Sequence, residues 1–353
     1  MKALILGGTG AMGVHLCQLL IEEGWQVYVS TRSERVGNGR LTYIKGNAHD
    51  ELFLKSLLEL EEWDSIVDFM NYSTVEFKQR YELLVNSTKH YIYLSSSRVY
   101  AESIDPITEK SPRLLDVCND WTFLQTDDYS LAKARQEDCL LNFKEKNWTI
   151  IRPYITYSNF RLQLTSAEKE DWLFCVLNNK PIIVSRDLLG KYTTLTYGYD
   201  VARGIYSLMG QVSSYGEIFN ITTNESILWE EILENYLRVI EKKKGKRPTV
   251  MYREKWDSLI GGDLYQVKWD RMYNRCFDNS KINQYIDTNT FQKTLPTIAS
   301  CLESFMDTPR FDAISWPTKA RQDRYVGVWT NLLDINDNRK RINYLLIRLG
   351  LRQ

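Results

Sequence analysis

The sequence predicts an α/β fold, a doubly wound parallel sheet with a smaller and mostly C-terminal second lobe. Two observations support this prediction. Short apolar runs alternate with amphipathic helical segments over the first 153 residues, which is typical of parallel strands joined by helices. The chain of 353 residues also exceeds the usual size of one hydrophobic core. We therefore assign 1–153, completed by parts of about 196–223, to the core, and 154–195 with 224–353 to the second lobe and a helical tail.

The first strand, Ala3 to Leu6, is joined to a helix by the glycine-rich turn GGTGAMG. Gly7, Gly10 and Gly13 lie three residues apart. In a dinucleotide-binding turn the first glycine makes the tight bend, the second admits a pyrophosphate to the backbone, and the third lets helix and strand pack closely. The N–H groups and dipole at the helix start also favour an anion. The position of the motif between strand and helix therefore predicts a dinucleotide site and a Rossmann core.

The next two strands predict where the adenosine half of the dinucleotide lies. The strand WQVYVSTRS ends at Thr31 and Arg32, where such folds meet the adenosine ribose. An acidic side chain there would bind the ribose 2′-hydroxyl, whereas a hydroxyl and a guanidinium suit a 2′-phosphate. NADP is therefore favoured, and NAD stays open. The third strand, LTYIKGN, ends at Asn47 and Ala48, which we expect at the adenine edge.

The following segments continue the alternation of helix and strand. We predict a helix over HDELFLKSLLELEEW and the fourth strand over SIVDFMN. We then predict one short helix over FKQRYELLVNS and the fifth strand over HYIYLSSS. Asn71 lies just past the fourth strand, at the rim where open α/β sheets bind ligands. This order predicts right-handed crossovers throughout the core.

The chemistry is predicted from the fifth strand and the helix of DDYSLAKARQEDCLL. The strand ends in Ser95, Ser96 and Ser97, and Tyr129 lies four residues before Lys133, on the same helix face. A tyrosine hydroxyl is a weak acid at neutral pH, and an adjacent ammonium favours its phenolate. A serine at the strand end would hold a substrate carbonyl or alcohol by hydrogen bond. We therefore expect Tyr129 to donate or accept the proton.

In these motifs the chain resembles the extended short-chain dehydrogenase/reductase family of nucleotide-sugar epimerases, dehydratases and ketoreductases, over roughly the first 220 residues. The resemblance rests on the motifs GGTGAMG, SSSRVY, YSLAK and IRP, and on the later DVARGI and EIFNITT. It implies a catalytic set of Ser96, Tyr129 and Lys133, in which the lysine also holds the nicotinamide ribose. It implies a cofactor site formed by Gly7, Thr9, Gly10, Ala11, Met12, Gly13, Thr31, Arg32, Asn47, Ala48, Met70, Asn71, Tyr129, Lys133 and Pro153.

The departures from the family pattern narrow the expected activity. Ser97 and Arg98 stand where the family's sugar dehydratases carry an Asp-Glu pair, so dehydration is not expected. Ile155 replaces an asparagine that contacts the substrate diphosphate in the family. We expect an NAD(P)-dependent ketoreductase or epimerase of a nucleotide sugar. The alternatives are a reductase of a non-nucleotide carbonyl compound, and a cofactor-sensing or RNA-binding relative without catalysis.

Composition argues against other classes of partner. Lysine plus arginine and aspartate plus glutamate both total 45, so no broad field for nucleic acid or membrane surfaces is expected. Six scattered cysteines without a CxxC pair predict reduced thiols, no metal site and a cytoplasmic protein. No apolar run approaches eighteen residues, which predicts no membrane span. The helix predicted before the fifth strand is shorter than the corresponding helix of the family. We therefore expect an altered assembly surface, and whether the chain forms a homodimer stays open.

Overall fold

The computed structural model of the chain describes residues 1–352, which form two compact units. The first unit consists of Met1–Tyr157, Thr194–Ser226 and Arg275–Thr294. The second unit consists of Ser158–Thr193, Ile227–Asn274 and the described chain from Leu295 onward.

Strands are numbered in chain order. They are β1 (Lys2–Leu6), β2 (Gln26–Thr31), β3 (Leu41–Lys45), β4 (Ser65–Asp68), β5 (Tyr91–Leu94), β6 (Trp148–Pro153), β7 (Thr156–Tyr157), β8 (Ile182–Ser185), β9 (Tyr192–Thr193), β10 (Thr196–Tyr197), β11 (Glu217–Ile221), β12 (Ile227–Leu228) and β13 (Val250–Arg253).

The α-helices are numbered in the same way. They are α1 (Gly13–Glu22), α2 (Glu51–Leu58), α3 (Thr74–Lys78), α4 (Tyr81–Asn86), α5 (Leu114–Val117), α6 (Trp121–Leu124), α7 (Tyr129–Leu141), α8 (Lys169–Leu177), α9 (Arg186–Leu189), α10 (Gly198–Leu208), α11 (Trp229–Lys244), α12 (Leu264–Gln266), α13 (Thr294–Asp307), α14 (Trp316–Val326) and α15 (Asn338–Arg348).

The first unit is built on a seven-stranded sheet in the order β11-β6-β5-β4-β1-β2-β3, and every neighbouring pair in it is parallel. This order confirms the predicted doubly wound, Rossmann-type sheet. The strand order reverses at β1, between β2 and β4, and ligands of open α/β sheets bind beyond the carboxyl ends of strands at such a point. Leu6 pairs with Asp68 there, so the glycine turn and the end of β4 are neighbours.

Helices cover both faces of this sheet, which is why its central strands are apolar on both sides. All residues of β4, β5 and β6 are buried. One core cluster joins Leu16 of α1 and Ile205 of α10 to the sheet. The cluster on the other face joins Leu54 of α2 and Leu84 of α4 to it. The motif-bearing elements therefore rest on a sheet that is packed from both faces.

Two segments of this unit differ from the sequence-based expectation. The single helix expected over FKQRYELLVNS is two helices, α3 and α4. They are interrupted at Arg80, which has a φ of −128° and donates from its guanidinium to the carbonyls of Ala48 and His49. Residues from Arg275 to Thr294, assigned to the second lobe, belong to the first unit, where Arg275 donates to Tyr100 O at 3.0 Å.

The second unit contains two small strand pairs, with β13 parallel to β8 and β12 antiparallel to β9. A buried ion pair ties α14 to the segment before β8, because Lys180 Nζ lies 2.8 Å from the carboxylate of Asp323. Tyr344 of α15 donates its hydroxyl to the same carboxylate at 2.7 Å. Among the described residues of the whole chain, no helix combines the length and the apolar character that crossing a membrane requires.

Candidate active site

The glycine-rich turn between β1 and α1 has the backbone geometry of a ligand cradle. Gly7 adopts a φ of +70°, in the left-handed region that favours glycine. A Cβ atom on Gly13 would lie 2.6 Å from Cα of Gly8, so only glycine permits this approach of helix and turn. Gly10 has no heavy atom within 4 Å of the position where a Cβ would stand. The turn is therefore tight on its protein side and open at its middle glycine.

The start of α1 carries no internal group that would compete with an anion. Met12 precedes the helix without a side-chain capping bond, and no acidic side chain lies in the first turn. Thr9 and Ala11 are half-buried beside it. Because the first N–H groups of a helix lack intrahelical acceptors, this end suits a phosphate group. The predicted residues of the turn thus fit a pyrophosphate.

The ends of β2 and β3 present the residues predicted to meet the adenosine half. Thr31 is buried as the last residue of β2, and Arg32 after it is exposed, with no side-chain partner among residues 1–352. Asn47 is exposed just beyond β3. Ala48 is buried, and its carbonyl accepts a hydrogen bond of 3.1 Å from Arg80 Nη1. Arg32 is therefore free to pair with an anion, whereas Ala48 is anchored in the protein.

Two of the three serines after β5 use their hydroxyl protons inside the protein. Ser95 Oγ donates to Glu137 Oε1 at 2.5 Å, and Ser97 Oγ donates to the carbonyl oxygen of Arg152 at 2.9 Å. Both hydroxyls are buried in this network. Glu137 in turn accepts from the Arg152 guanidinium, with Nη2 and Oε2 2.6 Å apart. Ser95 and Ser97 therefore hold β5 against α7 and β6 and offer no proton to a ligand.

The middle serine differs from its neighbours. Ser96 Oγ accepts a hydrogen bond of 3.2 Å from the backbone N of Arg98, which fixes the oxygen. Its hydroxyl proton has no acceptor within the part of the chain that the structure describes. The family resemblance implies the same serine. Ser96 is thus the serine able to donate to a bound group.

Two main-chain carbonyls at the carboxyl ends of β4 and β5 hold Lys133. Its Nζ donates to Leu94 O at 2.7 Å and to Met70 O at 3.4 Å, and the side chain is buried. Burial lowers the pKa of Lys133 from 10.5 to about 8, because the ammonium loses hydration. The same Nζ lies 5.9 Å from the ring centroid of Tyr129. The lysine and the tyrosine are therefore neighbours, as their spacing on α7 predicts.

A buried carboxylate lies behind the lysine. Asp68 Oδ1 accepts from the backbone N of Met70 at 2.9 Å, and Oδ2 accepts from the Tyr91 hydroxyl at 2.8 Å. Burial raises the pKa of Asp68, while these hydrogen bonds and the charge of Lys133 oppose that rise. Conversely, a charged Asp68 favours the ammonium of Lys133. This acid, which the sequence analysis did not single out, supports the charge of the lysine.

Met70 connects the glycine turn to the lysine. A Cβ on Gly7 would lie 3.1 Å from its sulfur, and its carbonyl is the one that accepts from Lys133. Asn71 follows as an exposed residue beyond β4. Pro153 is buried as the last residue of β6, beside β5 in the sheet. The structure therefore places all the predicted site residues in the first unit, around the carboxyl ends of β1 to β6.

Sequence reasoning missed the polar network beneath these residues. Glu137 lies one helical turn beyond Lys133, and Arg152 is the arginine of IRP, so both had a sequence signal. An acid inside the buried strand SIVDFMN was the corresponding signal for Asp68. A buried charge needs a partner, so each of these residues could have been expected to have one, although its identity could not be named. The partners became visible only in the folded chain.

The chain is similar to known proteins in sequence and in fold. The NAD dependent epimerase/dehydratase family model matches residues 3–222. A curated relative, chloroplast stem-loop binding protein of 41 kDa b of Arabidopsis thaliana, is 28% identical over 246 residues, which cover 65% of this chain and 60% of that protein. The chain thus spans about 60% of the length of this relative.

Two solved structures share the fold at low identity. The Bordetella bronchiseptica enzyme WbmH in complex with NAD+ has a TM-score of 0.67 and 14% identity, covering 88% of this chain and 99% of its own. UDP-glucose 4-epimerase from Bifidobacterium longum, in complex with NAD+ and UDP, has a TM-score of 0.67 and 17% identity with the same coverage. The family match spans more than half of the sequence, and the chain therefore belongs to the NAD dependent epimerase/dehydratase family.

Proposed function

We propose that this protein is an NAD(P)-dependent ketoreductase or epimerase of a nucleotide sugar, with Ser96, Tyr129 and Lys133 as its catalytic residues. One observation carries the proposal. Of the three strand-end serines, only Ser96 keeps an uncommitted hydroxyl proton within residues 1–352, and Lys133 is fixed beside the ring of Tyr129. A pure binding protein needs no such arrangement.

The cofactor would lie across the carboxyl ends of the central strands. Its pyrophosphate would meet the turn of Gly7, Gly10 and Gly13, where the middle glycine is open. Family membership supports a nicotinamide nucleotide, which supplies or accepts the hydride when bound. Arg32, which is exposed beside Thr31 and has no side-chain partner in residues 1–352, supports NADP. We expect Arg32→Ala to weaken NADPH binding at least tenfold and to leave NADH binding within twofold. Titration of cofactor fluorescence measures both affinities.

The protein residues would handle the proton. Ser96 Oγ would donate a hydrogen bond to a sugar carbonyl, and the Tyr129 hydroxyl would give that oxygen its proton as hydride arrives at carbon. Oxidation of an alcohol runs the same steps in reverse. The Lys133 ammonium, held by Leu94 O and Met70 O, favours the phenolate that Tyr129 becomes.

The side chains around this set argue against dehydration. A dehydratase must move a proton at a second carbon and needs an additional acid or base. Ser97 donates to Arg152 O, and Arg98 is a cation at the position where the family's dehydratases have acids. A nucleotide sugar is supported by the fold neighbour from Bifidobacterium longum, which is named UDP-glucose 4-epimerase. A non-nucleotide carbonyl compound remains the alternative substrate, since Ile155 replaces the family's asparagine.

The test is turnover of nucleotide 4-ketosugars with NADPH, followed by absorbance of the cofactor and by chromatography of the sugars. Loss of NADPH identifies a reductase, and interconversion without net loss identifies an epimerase. Tyr129→Phe should lower kcat at least 100-fold while NADPH affinity stays within threefold, because only the proton donor is removed. Tyr81→Phe, which removes a hydroxyl whose hydrogen bond to Glu82 is exposed, is the matched control. Equal activity of Tyr129→Phe and wild type would refute the catalytic assignment.

A second candidate function is RNA binding, favoured by the name of the stem-loop binding relative. Equal numbers of acidic and basic residues argue against a broad phosphate-binding surface. Fluorescence anisotropy with a stem-loop RNA at 50 and 200 mM salt decides between RNA binding and the proposed enzyme activity. Submicromolar binding that Tyr129→Phe leaves unchanged, in a protein without turnover, would favour this candidate.

A further inference from the structure

Among the described residues the guanidinium of Arg98 has no hydrogen-bond or salt-bridge partner, and it lies beside the proposed proton donor. Its Cζ lies 5.0 Å from the ring centroid of Tyr129, over the face of the ring. Its Nε is buried and has no hydrogen-bond acceptor within residues 1–352. Its backbone N holds Ser96 Oγ at 3.2 Å, so the side chain begins two residues from the proposed serine. One residue therefore contacts both proton-handling groups and still has free donors.

Other buried or half-buried arginines of the first unit are paired. Arg80 donates to Ala48 O, Arg113 pairs with Asp116, and Arg152 pairs with Glu137. A buried donor without an acceptor destabilises the folded protein, and more so when the group is charged. Arg98 is the only arginine of this unit with a buried, unpaired guanidinium nitrogen among the described residues. Such an arrangement is expected where the acceptor arrives with a ligand.

The geometry points to Arg98 as the residue that binds a carboxylate of the substrate, attached to the sugar ring next to the reacting carbon. This inference rests on the proposed function. The planar guanidinium donates two parallel hydrogen bonds to a carboxylate, which fixes orientation as well as charge. The preferred substrate class is therefore a nucleotide-linked uronic acid or its keto form, rather than a neutral hexose.

The position of Arg98 favours a carboxylate over a phosphate. The proposed function already assigns the phosphates of the dinucleotide to the glycine turn and the start of α1. Arg98 instead lies at Tyr129 and Ser96, whose proposed role is to hold the oxygen on the reacting carbon. If that carbon is C4 of a hexose, its neighbour C5 carries C6, which in a uronic acid is the carboxylate. The anion therefore belongs to the sugar.

The test compares two substrates in three proteins. Wild type, Arg98→Gln and Arg98→Lys are assayed with UDP-glucuronic acid and UDP-glucose, and equilibrium binding of each sugar is measured by calorimetry with NADPH present. We expect Arg98→Gln to lose about 100-fold in affinity for the uronic acid and at most threefold in affinity for the hexose, and the preference for the uronic acid in kcat/KM to fall by a similar factor. Arg98→Lys keeps the positive charge but loses the two parallel donors. Its affinity for the uronic acid should therefore lie between those of wild type and Arg98→Gln.

The outcomes separate this inference from the proposed function. An equal loss for both sugars, with a displaced pH profile, would show that Arg98 acts on Tyr129 and would overturn the carboxylate assignment. Wild-type binding that does not distinguish the two sugars would also overturn it. Selective binding of the uronic acid that depends on Arg98, without any turnover, would support the carboxylate site while refuting the proposed reaction. Hexose binding by Arg98→Gln also shows that the variant folds.

Discussion

Replacing Lys133 by methionine should change how the stability of the protein varies with pH. Lys133 is buried, and its pKa falls from 10.5 to about 8 because the ammonium is desolvated. Between these two values the unfolded chain binds more protons than the folded chain, so the free energy of unfolding rises with pH. Methionine has a similar length and no proton to lose, so the variant lacks this contribution.

The size of the effect follows from the two pKa values. One pKa unit corresponds to 1.36 kcal/mol, so below pH 8 the buried ammonium costs about 3 kcal/mol relative to a lysine with its ordinary pKa. At pH 9 most of Lys133 is neutral in the folded state, and the remaining cost is about 2 kcal/mol. The wild type should therefore gain roughly 1 kcal/mol over the methionine variant between pH 7 and pH 9.

Urea unfolding at pH 7, 8 and 9 measures this difference for wild type and Lys133→Met. Lys144→Met, at an exposed position after α7, is the matched control and should run parallel to the wild type. Parallel free energies for wild type and Lys133→Met would refute the reasoning, because they would show that Lys133 titrates alike in both states. A direct check is the NMR titration of the Lys133 Cε resonance, expected near pH 8.

Three further substitutions test the cradle and the network beneath the site. Gly10→Ala should leave the unfolding free energy within about 0.5 kcal/mol, because its Cβ meets open space, but should weaken NADPH binding at least tenfold. Gly13→Ala should destabilise the protein by about 1–3 kcal/mol, since its Cβ would lie 2.6 Å from Gly8 Cα; unchanged stability would contradict this contact. Glu137→Gln should cost about 3–5 kcal/mol in urea unfolding, because Arg152 would keep an uncompensated buried charge; a loss below 1 kcal/mol would argue against the pair.

Local patterns in the sequence were enough to predict the parallel sheet and to select the candidate site residues. The alternation of apolar runs with amphipathic segments reflects the burial of each element, and this predicted the parallel sheet that the strand order confirms. The turn of Gly7 and the spacing of Tyr129 and Lys133 are likewise local, because backbone conformation and helical periodicity act within a few residues. For such features the neighbouring residues carry the information.

The roles of individual side chains depend on contacts between distant parts of the chain. Ser95 meets Glu137 across 42 positions, and this contact leaves Ser96 as the serine with a free proton. Arg98 lies over Tyr129, and none of the carboxylates of residues 1–352 pairs with it there. The segment that begins at Arg275 likewise belongs to the first unit because of contacts with residues that are distant in the sequence. Pairing and burial arise from packing among remote elements, so a pattern read along the chain could name these residues but could not give them partners.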